Sequence, residues 1–167
     1  MSRDINDQEK AERRLWEEIE AARFGMLGLS NGHQHFQPMT AFAEPDEGAI
    51  WFFSSDDTDL VKVVAQGDNK AMFVVQSKDQ DFQGCIDGRL VETRDQARID
   101  RYWNPMVAAW YPAGKDDPHL TLLRFDVSDA EVWISKGGAV RLAWEIAKAN
   151  LNGKAPDLGI QAHLDLN

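Results

Sequence analysis

Residues 8–22, QEKAERRLWEEIEAA, set Ala11, Leu15, Ile19 and Ala22 on one stripe and spread acids and bases over the rest. That period predicts an amphipathic helix. Asn6 followed by Glu9 has the spacing of a capping arrangement. The pattern then changes to short apolar runs bounded by turn residues. FGMLGLS at 24–30, opening around Gly25, predicts a strand, and Asn31-Gly32 a tight turn. QHFQPMTAFA at 34–43 predicts a second strand. Pro38 inside it has no amide to donate and marks an edge or a bulge. Pro45-Asp46-Glu47-Gly48 turns the chain into a third strand, AIWFFSS at 49–55. A short helix follows, about Asp59 to Gln66, stopped by Gly67.

The strand NKAMFVVQS at 69–77 leads through the polar turn KDQD into FQGCIDGRLVET at 82–93. Gly84 and Gly88 there mark bulges or a close backbone approach. Thr93 with Gln96 has capping spacing for a helix through Trp103, which Pro105 ends or kinks. After Lys115-Asp116-Asp117-Pro118, HLTLLRFDV at 119–127 and AEVWIS at 130–135 read as two strands. Gly137-Gly138 separates them from a last helix, about Val140 to Leu151. Residues 152–167 read as a polar, mobile tail. Six or seven strands without regular strand–helix alternation predict an antiparallel barrel or curved sheet, in the α+β or mainly β class, with helices outside. One domain over 1–167 is expected, with its core at about 8–151.

A net charge of −10 argues against nucleic acid, because neutralising phosphates needs a clustered basic surface. One cysteine, Cys85, excludes an internal disulfide and fits a reducing compartment. No apolar run reaches membrane-spanning length, and MSRDINDQEKAERR is too charged for a signal peptide. A cytoplasmic protein is expected.

Ser54-Ser55-Asp56-Asp57-Thr58-Asp59-Leu60-Val61-Lys62 joins a strand to a helix. Free amides and the helix dipole favour an anion there, with Ser54, Ser55, Thr58 and Lys62 as further donors. Plain helix capping explains the same residues, and three aspartates oppose a phosphate. Trp103, Trp110, Tyr111 and Trp133 are candidates for stacking on a flat ligand, or for core packing. His33 and His35 flank a turn without evident carboxylate or thiolate partners, so no metal site is expected. Cys85 has no base beside it and reads as a small buried hydrophobe. The chain has no Gly-x-Gly-x-x-Gly fingerprint, P-loop or Gly-x-Ser-x-Gly elbow.

QPMTAF at 37–42, WFFSSDDTDLVK at 51–62 and the run from Asn104 to Trp133 together carry a resemblance. The chain resembles the general-stress-protein branch of the pyridoxamine phosphate oxidase-like split barrels, over roughly Glu12 to Asn150. The resemblance implies a six-stranded antiparallel split barrel that dimerises and binds flavin mononucleotide (FMN) in clefts between subunits. It sets Gln37, Pro38, Met39 and Thr40 beside the flavin ring, with Phe53 nearby. Ser54, Ser55, Thr58 and Lys62 match the segment that holds the phosphate. Gln83 matches a glutamine near the ring, and Trp133 an aromatic supplied by the second subunit. Trp103, Trp110 and Lys115 belong to the branch's own signature and are expected at the cleft.

The chain also departs from the oxidases. Gln37 replaces an Arg, a Lys near Phe42 is missing, and the Ser-Arg-Lys phosphate cluster becomes Thr58-Asp59-Leu60 with Lys62 displaced. The substrate motif Arg-Leu-His-Asp-Arg becomes Arg141-Leu142-Ala143-Trp144-Glu145. Oxidation of B6 vitamers is therefore not expected, and no residue is nominated as general acid or base. What is expected is flavin-dependent redox chemistry on an unidentified small molecule, or non-catalytic holding of flavin.

Overall fold

The computed structural model describes residues 2–135, 137, 139–155 and 159–167, with side chains from residue 7 onward and not for 139–142. Gly138 lies outside the described residues, as does the side chain of Arg141. Helix α1 spans Ser2–Ala22. Asn6 therefore lies inside the helix and not at its start. The stripe is the one the periodicity defines: Ala11, Leu15 and Ile19 are buried, together with Trp16.

Eight strands form one antiparallel sheet. They are β1 (Phe24–Leu29), β2 (Gln37–Thr40), β3 (Phe42–Glu44), β4 (Ala49–Ser55), β5 (Lys70–Gln76), β6 (Phe82–Thr93), β7 (Leu120–Ser135) and β8 (Gly159–Asp165). The order is β2-β1-β5-β6-β7-β4-β3, with β8 also on β7. β2 and β3 thus lie at opposite ends of the path, yet only Ala41 separates them in sequence. That connection brings the two edges together, so the sheet curls into a barrel left unsealed along one seam. The core fills it, with Phe52, Phe73, Phe82 and Phe125 fully buried, each contributing about 1.5–3 kcal/mol. Leu60, Val61 and Val64 of α2 (Asp59–Ala65) join the same core.

Three expectations are corrected here. Residues 119–135 are not two strands but one, β7, because the break expected at Ser128 is absorbed as a bulge. The register shifts so that Gly88 pairs Val127 while Asp87 pairs Asp129. Ser128 Oγ donates to the Asp87 carbonyl at 3.1 Å. Gly88 is required: a Cβ there would stand 2.3 Å from the Asp126 carbonyl oxygen. Gly84 keeps a regular register and marks a close approach instead, its absent Cβ facing Leu15 Cδ1 at 3.2 Å. The tail is the second correction, since β8 pairs with β7 from Asp129 to Ser135 and buries Leu164. Third, the helix after β6 is capped by Asp95, not Thr93. The strand count is eight against six or seven expected, and the split-barrel architecture stands.

Pro38 lies on an edge strand, as its missing amide demands. α5 spans Ala139–Asn152. Among the described residues no helix is long and apolar enough to cross a membrane.

Candidate functional site

Both faces of β4 are covered, which explains its unbroken apolar run. Ile50 and Phe52 enter the barrel core, whereas Trp51 belongs to a second core with Ile99, Tyr102, Leu120 and Leu122. Residues 94–119, between β6 and β7, supply that cover. Asp95 accepts from the Arg98 amide at 3.1 Å and starts α3 (Gln96–Tyr102). Asn104 then accepts from the Met106 and Val107 amides at 2.9 and 3.1 Å. Pro105 opens α4 (Pro105–Ala108) rather than merely ending a helix, since its missing amide is an orphan at N1 in any case.

This excursion is tied down at several points. Tyr111 donates its hydroxyl to the Ser54 carbonyl at 2.8 Å. Arg94 donates to the carbonyls of Asp117 and Pro118 at 2.8 and 3.2 Å. Glu44 receives Arg101 at 3.0 Å, Arg98 at 3.3 Å and the Tyr102 hydroxyl. Arg98 also pairs with Glu47, and that hydrogen bond raises its pKa further. Burial pushes the Tyr102 and Tyr111 phenols up to about 12, so both stay protonated donors at neutral pH. Trp51 lies between Arg98 and Arg124, whose guanidinium carbons stand 5.0 and 5.7 Å from its ring.

Where this cover stops short of the seam, a cleft of about 620 Å³ opens, within the range of small-molecule sites. One wall is Gln37, Pro38, Met39 and Thr40 of β2, with Phe24 of β1 beside it. The floor is Phe42 and Phe53, which meet edge to face at 5.7 Å. Asn104, Met106, Val107, Trp110 and Tyr111 form the opposite wall, and Ser54, Ser55 and Thr58 the inner end. Trp110 is 79% exposed at the mouth.

The wall of β2 carries polar groups in its backbone. Ala41 donates its amide to the Arg23 carbonyl at 2.7 Å. In an antiparallel ladder, alternate residues face the partner strand. Gln37 and Met39 therefore turn their backbone groups towards β1. Thr40 N–H and the carbonyls of Thr40 and Pro38 point off the free edge.

Nine of the fourteen residues expected at the site line this cleft: Gln37, Pro38, Met39, Thr40, Phe53, Ser54, Ser55, Thr58 and Trp110. The other five stand elsewhere in the chain. Trp103 packs behind the cleft, edge to face on Phe53 at 6.1 Å and 6.3 Å from Tyr111. Lys115 pairs with Asp100 at 2.7 Å and braces the excursion. Lys62 is exposed on α2. Gln83 and Trp133 are cross-strand partners on β6 and β7, outside this cleft. Sequence reasoning missed Phe24, Phe42, Asn104, Met106 and Val107. The Asn-Pro pair was a legible capping signal for Asn104, whereas only the register identifies Phe24, which lies opposite Thr40.

Capping does operate at the inner end. Thr58 Oγ1 accepts from the Val61 amide at 3.3 Å and donates to the Ser55 carbonyl at 2.9 Å. The Ser55 hydroxyl holds the Asp57 carboxyl below its ordinary range, helped by His119 and then Lys62. His119 Nδ1 lies 2.8 Å from Asp56 Oδ1. That hydrogen bond raises the imidazole pKa.

An antiparallel sheet curled almost to closure, with an apolar cleft along its seam, is a split barrel. The family model described as pyridoxamine 5'-phosphate oxidase like matches residues 10–157. The chain belongs to that family, in its general stress protein branch. General stress protein 26 from Jannaschia sp. CCS1 is 37% identical, with 91% of this chain and 95% of that one covered and a TM-score of 0.72. A general stress family protein from Xanthomonas campestris pv. campestris is 40% identical, over 78% of this chain and 90% of that one, with a TM-score of 0.69. The general stress FMN/FAD binding protein from Xanthomonas citri is 39% identical, over 78% and 92%, with a TM-score of 0.70. No curated protein matches the chain.

Proposed function

We propose that the seam cleft binds a flavin, FMN in the first instance, and that the protein is a cytoplasmic flavoprotein acting on a small molecule. The observation that carries this reading is the pairing of an aromatic floor with an unpaired strand edge. Phe42 and Phe53 offer apolar surface to a ring. The free backbone groups of Pro38 and Thr40 suit the ring's polar rim. The Xanthomonas citri relative, described as FMN/FAD binding, supports the assignment. A bound flavin supplies electron transfer to a substrate. The chain's own residues orient the ring and exclude water through Met106, Val107 and Tyr111.

The same proposal includes a homodimer. Phe24, Met26, Val74 and Trp133 are large apolar residues on the sheet, each 36–53% exposed. Met26 pairs Val74 across β1 and β5, and Gln83 pairs Trp133. A second copy covering this face would bury Trp133 together with its cross-strand partner Gln83.

A second reading is non-catalytic flavin holding. Among the described residues lining the cleft there is no Asp, Glu, Lys, Arg or His, hence no ready general acid or base. Absorption spectra of the purified protein titrated with FMN test the shared claim; a ring spectrum unchanged at saturating protein refutes it. Reoxidation of the reduced, bound flavin separates the two readings. Faster reoxidation by a small-molecule acceptor than of free flavin favours the enzyme.

A further inference from the structure

If the flavin ring lies along β2, its ribityl chain and phosphate run towards the inner end of the cleft. That end is poorly furnished for an anion. Among the fifteen described lining residues none is cationic. The Thr58 hydroxyl is already engaged on both sides as a helix cap. Helix α2 has seven residues and opens on Asp59, so its first turn carries a carboxylate where an anion would sit. Of the cations nearby, His119 is countered by Asp56 at 2.8 Å, and Lys62 stands exposed on α2, outside the lining. Asp56, Asp57 and Asp59 therefore outweigh them.

We infer that this cleft recognises flavin by its ring and sugar chain and gains little from the terminal phosphate, so that riboflavin and FMN bind alike. The inference rests on the flavin reading above. It makes the site tolerant of uncharged flat ligands, because no lining side chain offers a charge to a phosphate.

The test is fluorescence-quenching titration of the full-length protein with riboflavin and with FMN at low and high salt. The two dissociation constants should agree within about threefold, with little salt dependence, because no charge pair is made. Lys62→Ala should leave both unchanged. Wild-type FMN binding tenfold or more tighter than riboflavin, and weakening with salt, would overturn the inference while leaving the flavin site intact. A Lys62→Ala variant that weakens FMN several-fold while sparing riboflavin would overturn it as well. Failure of either flavin to bind would remove the flavin reading itself, and this inference with it.

Discussion

Tyr111 joins the excursion to the barrel, and its removal separates two roles. The phenol donates to the Ser54 carbonyl at 2.8 Å, and the ring lies 6.3 Å from both Phe53 and Trp103. Tyr111→Phe keeps the ring and loses the hydrogen bond, which costs about 1 kcal/mol. For a chain of this length that lowers Tm by about 2–4 °C. Tyr111→Ala also removes the ring from the cleft wall. Because the side chain is only partly buried, the loss lies at or below the low end of the usual 3–5 kcal/mol, about 3 kcal/mol. FMN affinity should be nearly unchanged in Tyr111→Phe. In Tyr111→Ala it should fall about fivefold, the equivalent of one aromatic contact of about 1 kcal/mol.

The pH dependence gives a second readout. Burial pushes the Tyr111 phenol up to about 12, from 10 when free. A group with a raised folded pKa stabilises below its unfolded value and loses that contribution as pH rises through the folded one. The stability gap between wild type and Tyr111→Phe should hold to about pH 10 and narrow above it. Tyr102 titrates in the same window but is present in both proteins and cancels. Urea denaturation across this range, with calorimetry at neutral pH, measures both effects. Equal loss of FMN affinity in the Phe and Ala variants would refute the reasoning, since the hydroxyl would then act on the ligand and not through Ser54.

Other outcomes follow from the same geometry. His119 gains its raised pKa from Asp56, so its stabilisation is present below pH 6.5 and lost as pH climbs through the raised folded value. His119→Gln should remove that slope, and an NMR titration showing an unshifted imidazole would count against the pair. Light scattering should report a dimer, and Val74→Asp, at the centre of the exposed sheet face, should give a folded monomer; a monomeric wild type at high concentration would defeat the dimer proposal. Flavin-loaded protein should form no pyridoxal phosphate from pyridoxamine phosphate above a free-flavin control. Ala143 and Glu145 stand where the oxidases carry their His and second Arg, and Glu145 adds a repulsive charge, so robust turnover would show that another anchor exists.

The barrel was legible where period and punctuation agree. AIWFFSS and FQGCIDGRLVET became β4 and β6 at their expected bounds. Local signals failed where a partner strand decided the outcome. Ser128-Asp129 looks like a turn until the bulge opposite Gly88 absorbs it. GIQAHLD looks like a polar tail, yet Leu164 has a core to enter. At the site, short motifs located the two seam strands but not which aromatic lines the cleft. Trp103 and Tyr111 lie eight residues apart in one stretch, and only the packing puts Tyr111 on the cleft wall and Trp103 behind it.

The cleft itself follows from the double cover of β4. A strand apolar on both faces needs a layer on each side. The barrel interior covers Ile50 and Phe52, and the 94–119 excursion covers Trp51. Phe53 sits one step nearer the seam and is only partly covered. Its exposed remainder meets Phe42 and the free edge of β2 across the gap that Ala41 spans. The aromatic floor and the unsatisfied backbone edge are therefore two products of one feature, a sheet that curls without sealing. Sealing the seam would pair the Thr40 backbone and bury Phe53, stabilising the barrel and abolishing the site. The unsealed edge costs stability, and the flat ligand proposed for the cleft is what completes it.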